Sequence, residues 1–151
     1  MTDTAPTDTD LRSLADRLAV QDVMIRYATS VDARDMKRYA SCFTADVEVA
    51  GFGNTTFSDR GVYVDWVIEA LKRYERTQHL IGNQEVVLDG DRAHLRSYVQ
   101  ATHLLADDPT KLMVLWAVYD DQLVRTAEGW QITRHELQPL IAPSIIDRTP
   151  R

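Results

Sequence analysis

The stretch Thr77-Gln-His-Leu-Ile-Gly-Asn-Gln-Glu-Val-Val-Leu88, closed by Asp89-Gly90-Asp91, is where the chain changes its period. Before it, apolar residues recur at helical spacing; from it onward the pattern is that of strands. Asp-Gly between two such runs is a strong hairpin signal, because the tight turn needs positive φ angles that these residues tolerate. The pattern predicts a strand over 77–88 and a second over 93–106, stopped by Asp107-Asp108-Pro109. A third strand is expected over 112–124, full of Val, Leu, Trp and Tyr. Ala127-Glu128-Gly129 then turns the chain into a fourth over 130–137. Pro139 and Pro143 flank an apolar tail of Leu140-Ile141 and Ile145-Ile146.

Upstream, Leu11, Leu14, Ala15, Leu18, Met24 or Ile25, and Ala28 predict a first helix, capped by Asp10 or a nearby Thr and ending near Val31. A second begins at Asp35, with Met36, Tyr39, Ala40 and Phe43 as one apolar stripe. Thr44-Ala45-Asp46 breaks it, Val47-Glu48-Val49 alternates like a short strand, and Gly51-Phe52-Gly53-Asn54 reads as a turn. A third helix follows Ser58-Asp59, burying Tyr63, Trp66, Val67, Ala70, Leu71 and Tyr74. Helices segregated from a mostly antiparallel meander make an α+β fold. A strongly curved sheet closed by three N-terminal helices is a cone with room for a pocket. The expected division is a loose polar tail over 1–9, one domain over 10–138 and a C-terminal extension over 139–151.

The 151 residues suffice for one domain with a proper core or an enclosed pocket. Net charge is −6, with acids and bases interspersed, so no basic face for nucleic acid is visible. No apolar run approaches membrane-spanning length, and the polar, acidic N-terminus is not a signal peptide. One cysteine, Cys42, excludes an intrachain disulfide; a reducing, cytoplasmic setting is the simplest reading. Cys42, inside the second predicted helix beside its apolar stripe, reads as packing. H-x-H, H-E-x-x-H, phosphate-binding glycine loops and a nucleophile elbow are all missing, so neither a metal nor another cofactor is expected.

The chemistry-bearing candidates begin with Asp32, where the first helix runs out. A carboxylate there either caps the next helix or points inward, and inward it needs a partner. Asp35 can supply the cap instead. A histidine is the natural partner, since a carboxylate on one ring nitrogen fixes the tautomer and leaves the other free as a base. His79 opens a strand, where a histidine is often only solvated. Tyr27 lies more than a turn before Asp32 and reads equally as core. Alternation puts His103 on one face with Leu95, Ser97, Val99, Ala101 and Leu105, either a satisfied core residue or part of a pocket wall. His94 has the opposite parity and should face away; His135, near the end of the last strand, should be rim or surface.

Taken together, Leu18-Ala-Val-Gln-Asp22, Tyr27 with Asp32, Tyr39-Ala-Ser-Cys-Phe-Thr-Ala-Asp46, Thr77-Gln-His79, the Asp89–Ala93 hairpin and Gly129-Trp-Gln-Ile132 resemble the SnoaL-like branch of the nuclear transport factor 2-like superfamily. That superfamily includes scytalone dehydratase, bile-acid dehydratase, hexachlorocyclohexane dehydrochlorinase, ketosteroid isomerase and polyketide cyclases. The resemblance implies a cone fold and a cofactor-independent enzyme. It implies His79 as general base with Asp32 as its partner, and Tyr27 and His103 as hydrogen-bonding groups for a carbonyl or leaving group. The implied reaction is proton abstraction followed by loss of water or another leaving group, on a hydrophobic cyclic substrate. Isomerisation or cyclisation by the same groups is the alternative. Phe52, Trp66, Val99 and Trp116 are the candidate pocket walls. A reading of another class is a non-catalytic ligand-binding module or dioxygenase-type small subunit. One face of the sheet is left over for a neighbour, so a homodimer or homotrimer is expected.

Overall fold

The computed structural model describes residues 7–149. The parts of the expected tail and C-terminal extension at 1–6 and 150–151 lie outside them. Helix α1 spans Asp8–Asp32, so it starts inside the segment expected to be loose. Thr7 is its cap: its side chain accepts from the Asp10 N–H while Asp10 reaches back to the Thr7 backbone, a reciprocal capping box.

Helix α2 is short, Met36–Ala40, capped by Asp35. Two residues that the helical stripe had suggested for it lie beyond: Cys42 is in the following turn and Phe43 opens strand β1 (Phe43–Phe52). Of the segment read as a turn, Gly51 and Phe52 are still strand, and Gly53-Asn54 is the reversal, before β2 (Thr55–Phe57). Gly51 has φ +86°, and a Cβ there would fall 1.9 Å from the Leu137 carbonyl oxygen, so only glycine lets the two chains approach this closely. Helix α3 (Arg60–Leu71) is capped by Asp59.

The meander follows as β3 (Tyr74–Asp89), β4 (Arg92–Leu105), β5 (Lys111–Thr126) and β6 (Gly129–Pro139). The apolar tail contains a further strand, β7 (Ser144–Asp147), paired with the start of β5. The order across the sheet is β2-β1-β6-β5-β4-β3, antiparallel except where β1 runs parallel to β6. The expected α+β cone is thus present: helices lie against a curled, mostly antiparallel sheet.

The inner face carries the core, including Phe43, Val47, Leu95, Val99, Tyr119, Leu123 and Ile132. From α1 it takes Val20, Val23, Met24, Tyr27, Ala28 and Val31. The amino-terminal part of the expected α1 stripe does not reach it: Leu11, Leu14 and Leu18 are exposed, as is Ile25. Among the described residues no helix is long and apolar enough to cross a membrane.

Candidate active site

Alternation along β3 turns Thr77, His79 and Ile81 toward α1, and the last residue of α1 is Asp32. The two elements meet there. Asp32 Oδ1 lies 2.7 Å from His79 Nδ1 and accepts from the Thr77 hydroxyl at 2.8 Å. Asp32 Oδ2 accepts from the His79 backbone N–H at 2.8 Å. Asp32 is free for this because Asp35 caps α2, accepting from the Arg38 N–H at 3.0 Å.

Burial pushes the Asp32 carboxyl upward, but the His79 ring, the His79 N–H and the Thr77 hydroxyl outweigh it and hold the group below the ordinary carboxylate range. Asp32 therefore stays an anion at neutral pH. With Nδ1 engaged by that anion, the neutral ring that fits this contact carries its hydrogen on Nδ1 and leaves the lone pair on Nε2. Its side chain is 9% exposed.

Arg34 extends the chain of contacts. It is the one described non-glycine residue at positive φ, 61°. From there its guanidinium donates to the Thr77 hydroxyl at 2.8 Å and to the Val31 carbonyl at 3.0 Å. Arg34, Thr77, Asp32 and His79 thus form one continuous series of hydrogen bonds. Sequence reasoning weighed neither Arg34 nor the role of Thr77. The parity of Thr77 with His79 was the usable signal for the second; nothing in the sequence marks Arg34 as left-handed.

Tyr27, one and a half turns before Asp32, is buried, and its ring meets the His79 ring edge-on at 6.5 Å. Burial first, then the neighbouring Tyr119, Tyr39 and Tyr63 phenols, push its hydroxyl well above the ordinary range near 10. It is therefore a neutral donor. His103 lies on β4 directly opposite Thr77, on the same inner face as His79, with ring centroids 5.4 Å apart. Burial and then the His79 charge lower its value to about 4, so it is neutral, and its Nδ1 is buried without a partner.

These groups face a cavity of about 160 Å3 between the inner sheet face, α1 and α3. Tyr27, His79, His103, Phe52 and Trp66 all line it, with Tyr39, Tyr63, Met113, Leu115 and Tyr119. Val99 and Trp116, two expected wall residues, do not. Val99 is inward but lies in the packed core. Trp116 alternates outward between Leu115 and Ala117, opposite Gln100.

His135 is the larger correction: expected at the rim, it is fully buried and lies 2.5 Å from the equally buried Asp121. Strand β6 runs on to Pro139, which makes His135 a mid-strand residue with inward parity. His94 is exposed as its parity required and bonds Asp120 at 2.8 Å. It borders a wider groove of about 370 Å3 on the outer face. That imidazole sits in water, so the groove lacks the desolvation that makes inner-cavity charges effective. No group of three or more metal-binding side chains occurs among the described residues.

The sequence profile of the SnoaL-like domain family matches residues 12–136. An uncharacterized protein of Mycobacterium tuberculosis is 28% identical over 122 residues, 80% of this chain and 83% of its own length. A Novosphingobium aromaticivorans protein described as an aromatic ring hydroxylase superposes with TM-score 0.81 at 28% identity, covering 88% of this chain and 94% of its own. A type 2 hexachlorocyclohexane dehydrochlorinase superposes with TM-score 0.81 at 23% identity, covering 91% and 93%.

Proposed function

Since this chain belongs to the SnoaL-like domain family, we propose that it is a cofactor-independent lyase or isomerase that removes a proton from a small hydrophobic ring compound. The observation that carries this reading is the 2.7 Å contact that leaves His79 Nε2 free beside a cavity walled mostly by aromatic and aliphatic side chains. His79 takes a proton from a carbon next to a carbonyl or carrying a neighbouring leaving group. Asp32 holds the ring and stabilises the imidazolium that forms. Tyr27 and neutral His103 donate to the oxygen on which charge develops, or to the departing hydroxyl. The likeness to a dehydrochlorinase and the dehydratases of the resembled branch favour loss of water as the second step.

The cavity is small, about 160 Å3, against the roughly 300–1,000 Å3 of pockets for drug-sized ligands. One or two rings suit it better than a steroid-sized skeleton. In a second reading, of another class, the cavity binds a small ring compound without transforming it; the likeness to the protein described as an aromatic ring hydroxylase bears only on the ligand, favouring an aromatic one.

Nitrobenzisoxazole separates the two. Its opening needs only a base: the ring C–H proton goes to His79, the N–O bond breaks, and a coloured nitrophenolate leaves. Wild-type protein is expected to accelerate this over buffer, and His79→Ala to lose roughly 10²–10⁴ of the rate. Equal rates from both folded proteins, with the compound still bound, would select the binding module.

We assign the faces left uncovered to a second copy of the chain. Leu11, Leu14 and Leu18 on α1, Tyr98 on β4 and Ile145 and Ile146 on β7 are apolar and exposed. A dimer or trimer is expected; a monomer by light scattering at micromolar concentration contradicts it.

A further inference from the structure

Asp121 and His135 are direct cross-strand partners on β5 and β6, and both side chains are fully buried. Nδ1 of His135 contacts Asp121 Oδ1 at 2.5 Å, while His135 Nε2 and Asp121 Oδ2 have no partner. The pair does not line the cavity. It stands directly behind the wall, where His135 packs against Tyr119 (4.7 Å between centroids), Tyr27 (5.1 Å), Phe52 (5.5 Å) and Tyr63 (6.5 Å). All four of those residues do line it. Tyr27 is therefore held between two imidazoles, His79 on one side and His135 on the other.

Two physical arguments fix where the proton of this pair sits. A lone buried carboxylate beside a neutral imidazole would leave a net negative charge in a dry aromatic shell, a costly arrangement. The pair therefore holds one more proton and is neutral as a whole. With that proton in the Oδ1–Nδ1 bridge, either position of it leaves a hydrogen on Nε2, whereas a proton on Asp121 Oδ2 would leave Nε2 bare. The aromatic faces around it argue the same way: they are electron-rich, so they accept an N–H and repel a ring-nitrogen lone pair.

We propose that Asp121–His135 is a second, sealed pair that keeps an N–H donor against the phenol cluster and thereby positions and polarises Tyr27 as the donor to the substrate oxygen. The proposal rests on the proton-abstraction reading for the role of Tyr27, though not for the protonation of the pair. His135 and Asp121 are positioning residues here; neither touches substrate. The fixed donor and the aromatic cage thus hold the Tyr27 ring at the cavity wall, as Asp32 holds the ring of His79.

The test has two arms. On nitrobenzisoxazole, Asp121→Asn is expected to lower kcat about tenfold with KM nearly unchanged, the worth of one transition-state hydrogen bond. Made in a Tyr27→Phe background, the same substitution is expected to cost less than about twofold, since its target hydroxyl is gone. Losses that add in full would overturn the proposal, because a merely structural pair would damage both backgrounds alike. The second arm needs neither turnover nor a variant. Nitrogen-15 spectra of histidine-labelled wild-type protein should show His135 Nε2 protonated throughout the neutral range. An unprotonated Nε2 overturns the proposal. Lack of wild-type turnover counts against the proton-abstraction reading alone and leaves the spectrum to decide.

Discussion

Of the three aspartate–histidine pairs among the described residues, two join Nδ1 to Oδ1 on the inner side of the sheet, and they differ in what surrounds them. In Asp32–His79 the carboxylate accepts three hydrogen bonds, and the pair is 23% and 9% exposed at the edge of a cavity. In Asp121–His135 the carboxyl has one partner, and both side chains are sealed. Burial is the largest single influence on both carboxyls; at the first, the His79 and Thr77 contacts together outweigh it, and at the second, the His135 contact does not. Asp32 is held below the ordinary carboxylate range, whereas burial pushes the Asp121 carboxyl above it. The other contacts separate the two pairs: the Asp32 carboxylate is held by three hydrogen bonds beside a cavity, which suits its histidine to the base proposed above, and Asp121 sits dry behind the wall, which suits its histidine to the support proposed above.

The comparison is most sharply broken by removing one carboxylate at a time. Asp121→Ala leaves a buried imidazole without its partner and is expected to destabilise the fold by about 3–5 kcal/mol. Asp32→Ala, at a half-exposed site, should cost about 1–2 kcal/mol, mostly the lost anchoring of β3. Urea unfolding of the two variants measures this, and equal losses would erase the distinction.

A third imidazole sharpens it through pH. His103 has an ordinary value of 6.5 and is lowered to about 4 by burial and then by the His79 charge. The folded value lies below the unfolded one, so the unfolded chain binds the proton first. Stability is therefore lost as pH falls from about 6.5 to about 4, by on the order of 3 kcal/mol. The groups around it are His79, Asp32, Arg34 and the Tyr74 ring, and all of them remain when His103 alone is replaced. The informative quantity is thus a difference: His103→Asn should show a smaller fall in melting temperature between neutral and acid pH than wild type. An identical fall would place the charge of His103 elsewhere.

The smallest effect concerns the support of Asp32. Thr77→Val keeps the shape and removes the hydroxyl that joins Arg34 to the carboxylate. It should lower turnover of nitrobenzisoxazole by about five- to tenfold, corresponding to roughly 1 kcal/mol, with little change in stability. Undiminished turnover would show that the two His79 bonds alone suffice.

Much of this arrangement was legible in the sequence because it depends on local periodicity. The Asp-Gly hairpin, the alternation that placed His103 inward and His94 outward, and the spare aspartate at position 35 were all readable from neighbours along the chain. The family profile over 12–136 agrees with the resemblance that the motifs carry. What was not legible depends on pairing between distant segments. The end of β6 is set by where β5 offers partners, Ala117 opposite Pro139, so His135 looked terminal when it is central. The parallel contact of β1 with β6 drew Phe43 out of the helical stripe, since backbone bonding to β6 outweighed one more helical turn. The leucines of α1 obey a helical period but point away from this chain's core. Periodicity shows that a face is apolar and does not say what covers it.

The central claim is that His79 removes a carbon-bound proton inside the cavity, and deuterium uptake reads that step whether elimination, isomerisation or cyclisation follows. A bicyclic ketone such as tetralone, incubated with the protein in D2O, exchanges the hydrogens beside its carbonyl when a base acts on them. Wild-type protein is expected to speed this exchange over buffer. Asp32→Asn should retain only a small part of the enhancement, and His79→Ala should fall to roughly the buffer rate, a loss of about 10²–10⁴-fold. Exchange by a folded His79→Ala protein at the wild-type rate would contradict the account.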